Sequence, residues 1–123
     1  MSATVTANVA ALCRALDVTV VVYGEELQAK AEAEAAYKAA RAKRILQARA
    51  SGEASAISLA EVVADGDDSV ADLRLAYLIA EGKASATKEK LAALRERIGF
   101  GRSVMTNERE ADKLAALGAG GQL

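Results

Sequence analysis

Residues 70–105 read VADLRLAYLIAEGKASATKEKLAALRERIGFGRSVM. Within them Val70, Tyr77, Ala84, Leu91, Ile98 and Met105 recur at a strict seven-residue interval, and Leu73, Ala80, Thr87, Leu94 and Gly101 hold the companion positions three residues on. Apolar or small residues at both positions of a heptad lie on one helix face, so the pattern predicts a seam of coiled-coil type. Gly82, Gly99 and Gly101 each cost a helix about 1 kcal/mol relative to alanine. The expectation is therefore one long helix with kinks or a break near 99–103. Asn107-Glu108-Arg109-Glu110 continues or restarts it, Gly118 ends it, and residues 118–123 form a mobile tail.

Working back along the chain, residues 25–50 contain no Gly and only one β-branched residue, Ile45, and are filled by Ala, Glu, Lys, Arg, Gln and Leu. That composition predicts a second long helix. Its acids Glu25, Glu26, Glu32 and Glu34 lie toward the N-terminal half, and Lys38, Arg41, Lys43, Arg44 and Arg49 lie toward the other end, which complements the helix dipole. Ser51-Gly52 supplies a C-terminal stop. Between the two long helices, Ser58-Leu59-Ala60-Glu61 has the form of a capping box for a short helix ending near Asp65-Gly66. Ser69-Val70-Ala71-Asp72 repeats the cap pattern after a turn at 65–68. Residues 1–24 are ambiguous. Val9, Leu12, Cys13 and Leu16 have helical spacing, whereas Val18 to Tyr23 has strand composition. Six residues with no second strand build no sheet alone, so the segment reads as a helical lead-in into Glu25.

Of 123 residues, 52% are hydrophobic, but thirty are alanine and only four are aromatic. The volume available for a core is small, and two alanine-rich helices leave apolar surface that self-association or docking on another protein would cover. The expected fold is all-α: an elongated antiparallel helical hairpin or small bundle, a single domain over 1–117. The longest apolar run, Val18 to Tyr23, falls far short of the ~20 residues of a membrane span, and no basic segment followed by an apolar stretch marks an export signal. These readings predict a cytoplasmic protein with no membrane partner.

The chemistry is bounded by what is missing. With no histidine, the Ser/His/Asp and Cys/His nucleophile systems have no base. One cysteine, Cys13, builds neither a disulfide nor a structural zinc site, and its place one turn from Val9 and Leu16 makes it a small core residue rather than a reactive thiol. Asp65-Gly66-Asp67-Asp68 lacks the glycine position and terminal glutamate of a calcium loop, so caps and a turn explain it. Gly82-Lys83 and Gly99-Phe100-Gly101 lack the upstream elements of phosphate loops. No enzyme, cofactor, metal or small-molecule substrate is expected.

Charge is segmentally polarised although the total is only -1. Residues 53–72 hold six acidic and no basic side chains, residues 25–50 sum to +2, and residues 83–113 hold eight basic against five acidic. Lys88, Arg95, Arg102 and Arg109 recur every seven residues and form a basic line beside the seam, with Lys38, Arg41, Lys43, Arg44 and Arg49 as a second patch. These are either phosphate contacts or coiled-coil flanking charges paired with Glu89, Glu96 and Glu110. The interleaved acids, and the scarcity of aromatics for base stacking, favour the pairing.

The segments Tyr37-Lys38-Ala39-Ala40-Arg41-Ala42-Lys43, Ala48-Arg49-Ala50-Ser51-Gly52, and Leu91-Ala92-Ala93-Leu94-Arg95 with Ile98 and Gly101-Arg102-Ser103 resemble small helical proteins of bacteriophages and prophages of high-GC bacteria, over about residues 25–112. The resemblance implies an accessory protein without an assigned enzymatic activity, sometimes encoded near DNA replication and recombination functions. The leading expectation is thus a non-enzymatic, self-associating accessory protein in the bacterial cytoplasm that binds another macromolecule in nucleic-acid transactions. Arg41, Arg44, Lys88, Arg95 and Arg102 are its candidate contacts. The alternatives are an assembly component, with a place in the virion, and an inhibitor of a host protein that uses the acidic stretch 53–72 as a polyanion mimic.

Overall fold

The computed structural model describes residues 2–121. They form three helices and, among the described residues, no strand: α1 (Ser2–Ser51), α2 (Ile57–Asp65) and α3 (Asp68–Gly121). The protein is all-α, with its two long helices packed on each other. The strand-like composition of Val18 to Tyr23 is overridden, and this segment is an unbroken part of α1. α3 likewise passes through Gly99 and Gly101 without the expected break and runs on to Gly121, past the expected stop at Gly118. Of the six residues read as a tail, Gln122 and Leu123 lie outside the described residues.

The heptad pattern of α3 is the buried face. All eleven seam residues from Val70 to Met105 are buried or half-buried, and Leu91, Leu94 and Ile98 are nearly fully so. α1 supplies a matching seam at the same spacing: Val5, Val9, Leu12, Leu16, Thr19, Tyr23, Glu26, Lys30, Ala33, Tyr37, Ala40 and Arg44 are each buried or half-buried. Four of these are polar or charged, which is why the pattern does not stand out by hydropathy. Each polar member has a local solution. Thr19, 5% exposed, donates its hydroxyl to the Ala15 carbonyl at 2.7 Å, the i−4 back-bond open to a helical threonine. Glu26 accepts the Thr87 hydroxyl at 2.8 and 3.0 Å, and Lys30 lies 3.9 Å from Glu81.

The chain divides into two compact units, one of residues 22–87 and the other of residues 1–21 with 88–123. In the first, Glu26 pairs with Thr87, Lys30 with Glu81 and Tyr37 with Tyr77, an antiparallel register. The short α2 closes the turn. Its core is small: Ala48, Ala54 and Ala60, flanked by Ile45 and Val63. Gly52 has φ +82°, a left-handed turn that ends α1. The caps differ from the sequence expectation. α2 begins at Ile57, so Ser58 lies inside it, and Ala56 precedes it with no side-chain cap. Before α3 the capping residue is Asp67, not Ser69: its carboxylate accepts the backbone N–H groups of Ser69 at 3.0 Å and Val70 at 3.2 Å. A carboxylate one residue before the helix reaches these otherwise unbonded donors, and the serine, already helical, does not.

In the second unit, Leu91, Leu94 and Ile98 supply most of the buried volume, each contributing about 1.5–3 kcal/mol by burial. Gly101 has a packing role there, since a Cβ on it would lie 2.6 Å from Val9 Cγ2. Valine is stiff about χ1 in a helix, so the space cannot be cleared cheaply. Gly99 faces open space. Gly99→Ala is expected to raise the thermal midpoint, by a stabilisation approaching about 1 kcal/mol from helix propensity. Gly101→Ala is expected to lower it, since overpacking of about 1–3 kcal/mol outweighs the same gain. Circular dichroism melts of the two variants check the opposite signs.

Candidate macromolecule-binding surfaces

The five candidate basic residues fall into two groups. Arg41 and Arg44 belong to the first unit and are engaged by the acidic stretch. Arg41 donates Nε to Asp65 Oδ1 at 2.8 Å and Nη2 to Asp65 Oδ2 at 3.4 Å, with Glu61 at 4.0 Å. Arg44 forks onto Glu53 at 2.8 and 3.1 Å and also donates Nε to Asp67 at 3.2 Å. The guanidinium fork suits paired carboxylate oxygens. These bonds tie α2 and both adjoining turns to α1, so four of the six acids of the stretch 53–72 are met by Arg41 and Arg44.

The electrostatics follow from this geometry. Hydrogen bonds from Arg41 hold the Asp65 carboxyl below its ordinary range, and those from Arg44 do the same for Glu53. Asp67 is lowered first by the backbone N–H of Val70 and then by Arg44. Both arginines are pushed further up, Arg41 by Asp65 and Arg44 by Glu53. Nearby, the rings of Tyr37 and Tyr77 stack at 6.2 Å and 10°. The Tyr77 hydroxyl donates to Glu81 at 2.8 Å, which raises its pKa. That occupies two of the four aromatics as packing.

Lys88, Arg95 and Arg102 belong to the second unit, are exposed and form no ion pair among the described residues. Among the described residues no ion pair joins them to Glu89, Glu96 or Glu110; Glu110 instead lies 3.8 Å from Lys113. On one helix the three charges stand about 10 Å apart per heptad. The second unit carries eight basic against six acidic residues (+2), and the first carries eight against eleven (-3).

The second unit carries an open groove of about 510 Å³ lined by Val5, Val9, Leu12, Phe100, Gly101 and Val104, with Asn8 and Arg97 at its polar margin. It is apolar and gathers no set of converging acids and bases. The groove was not foreseen, because Phe100 stands off the heptad and its pairing with Val5 and Val9 depends on register. Among the described residues, no three of His, Cys, Asp and Glu converge as metal ligands. α1 also contains an 18-residue window of mean hydropathy 1.6, of which 11% is buried, so by length and composition this helix is long and apolar enough to cross a membrane. Counting uninterrupted apolar residues missed it, since Thr, Asn and single charges break the runs without lowering the average much. Comparison with protein-family models, curated proteins and solved structures finds no match.

The depressed carboxylates imply an acid-sensitive turn. A carboxyl whose folded pKa lies below its unfolded value stabilises the fold above the unfolded pKa and loses that contribution as pH falls through the folded one. The thermal midpoint is expected to drop as pH is lowered from about 5 through 4 and below. Arg44→Gln is expected to lower the midpoint at neutral pH and flatten that drop, which melts at four pH values would show.

Proposed function

We propose that this chain is a non-enzymatic helical accessory protein of bacteriophage type whose work is to bind another macromolecule, in the setting of DNA replication or recombination. The observation that carries the proposal is the line Lys88, Arg95 and Arg102, exposed and without ion pairs among the described residues, in the unit with the positive charge balance. Unpaired cations at regular spacing suit a phosphate backbone, whose condensed counterions they release. Arg41 and Arg44 are assigned a structural part instead, because their donors already meet Asp65, Glu53 and Asp67. The same bonds weigh against the host-inhibitor reading, since they neutralise much of the acidic stretch that would mimic a polyanion. Assembly is the second reading. It is favoured by exposed large side chains such as Val18, Phe100, Leu114 and Leu117. The bacterial cytoplasm is the proposed location, and flotation with lipid vesicles would expose a membrane role for α1.

Fluorescence anisotropy with labelled single- and double-stranded DNA at two salt concentrations tests the leading reading. Binding at low salt is expected to weaken as salt rises, and Arg95→Ala with Arg102→Ala is expected to flatten that dependence by about two in log–log slope. Absence of binding at low salt, or binding indifferent to the double substitution, rejects it.

A further inference from the structure

Between Val70 and Ala86, α3 is apolar on two sides. At about 100° per residue, the seam residues Val70, Leu73, Tyr77, Ala80 and Ala84 share one direction. Ala71, Leu75, Leu78 and Gly82 share the opposite one, again at alternating four- and three-residue steps, with Ile79 beside them. All four charges of this stretch lie between the two stripes: Asp72 and Lys83 on one flank, Arg74 and Glu81 on the other. The first stripe packs on α1. The second is bare: Leu75, Leu78 and Ile79 are 58%, 45% and 51% exposed. A shallow groove of about 230 Å³ lined by Ala71, Arg74, Leu75 and Leu78 opens onto it. An exposed apolar stripe rimmed by charged residues marks an interaction surface.

We propose that this second stripe is covered by the same stripe of a second copy of the chain, in an antiparallel α3–α3 contact with twofold symmetry. Two features of the sequence select a copy over an unrelated partner. Ala71, Leu75, Leu78 and Gly82 read small, large, large, small, a palindrome in size. A twofold axis midway along them therefore sets Leu75 against Leu78 of the second copy and Ala71 against its Gly82. Leucine side chains on a helix lean toward its N-terminus, which directs Leu75 over that glycine, where no Cβ stands in the way. The second feature is charge. The same register brings Arg74 beside Glu81 of the second copy, and the symmetry makes this pair twice.

Both groups are available. Arg74 stands near enough to Asp65 to help lower its carboxyl pKa, but it forms no ion pair among the described residues. Glu81 meets Tyr77 and Lys30 through Oε2 alone, which leaves Oε1 to accept from the arginine. A self-complementary patch of this kind is what an isologous dimer requires. The buried cluster of the first unit is built on alanines, Ala48, Ala54 and Ala60, which remove little apolar area from water. The contact is independent of the DNA reading, since it uses none of Lys88, Arg95 or Arg102.

Sedimentation equilibrium of the full chain over a wide concentration range tests the contact. The expected mass rises toward twice 12.7 kDa. Leu75→Ser with Leu78→Ser is expected to weaken association by at least about tenfold, while Leu46→Ser, at an exposed position on α1, leaves it unchanged. Arg74→Glu is expected to weaken it, and Arg74→Glu combined with Glu81→Arg to restore it, because the swapped pair faces itself across the axis. Circular dichroism verifies that the variants remain helical. If the leucine variant unfolds, the charge reversal and its rescue decide the matter. A wild-type monomer at every concentration overturns the proposal, as does a dimer indifferent to the leucines or one whose Arg74→Glu loss the second reversal fails to recover.

Discussion

The constraint on which the structure rests is the narrowness of its seam. Two long helices meet along residues seven apart, and small residues, Ala33, Ala40, Ala80, Ala84 and Gly101, recur among the larger ones at those positions. Small residues let helix backbones come close, and Gly101 against Val9 is the extreme case, with no room for a single added carbon. Close approach brings many weak contacts, but it removes little apolar area from water per residue. Among the described residues, no large side chain is buried below 2% exposure, and those with none or almost none of their surface open are alanines. The fold therefore relies on length and register more than on a dense centre, and it leaves leucines, valines and a phenylalanine in solvent.

Polar groups fill what the small core leaves. Where alanine cannot specify register, the Glu26–Thr87 hydrogen bond and the stacked Tyr37 and Tyr77 do. At the turn, Arg41 and Arg44 gather Glu53, Asp65 and Asp67, so that α2 is fastened by charge as much as by Ala60 and Ala64. Exposed ion pairs contribute little singly. These share partners and sit beside a tight turn, where fixing one member orients the next. The consequence for function is a division of the basic residues: those near the turn hold the fold, and those along the later part of α3 are left free of it.

Much of the fold was legible in residue spacing. The α3 heptads are the buried face, and the Glu25–Ala50 composition is helix, because a helix's periodicity is a local property carried by each residue's own position. The α1 seam was not legible: Thr19, Glu26, Lys30 and Arg44 occupy it, and although Thr19 is satisfied within its own helix, the three charged residues are made tolerable by partners elsewhere in the chain. The site was readable in part. The heptad recurrence of Lys88, Arg95 and Arg102 singled them out, but nothing in their spacing distinguished them from Arg41 and Arg44. What separates the two sets is whether a carboxylate arrives from elsewhere in the chain. The cap at Asp67 and the groove beside Phe100 were missed for the same reason, being matters of where the backbone turns and which turn of one helix meets which turn of another.

Sequence alone determined that this chain is helical, that α3 buries one heptad stripe, and that it lacks the histidines and cysteine partners of familiar catalytic and metal-binding sets, since helix propensity, periodicity and residue inventory need no knowledge of distant contacts. Tertiary structure decided which charges are neutralised, which glycine is required, and which apolar stripe is left bare. Those depend on register between helices, a relation among residues far apart in the chain, and no local pattern contains it.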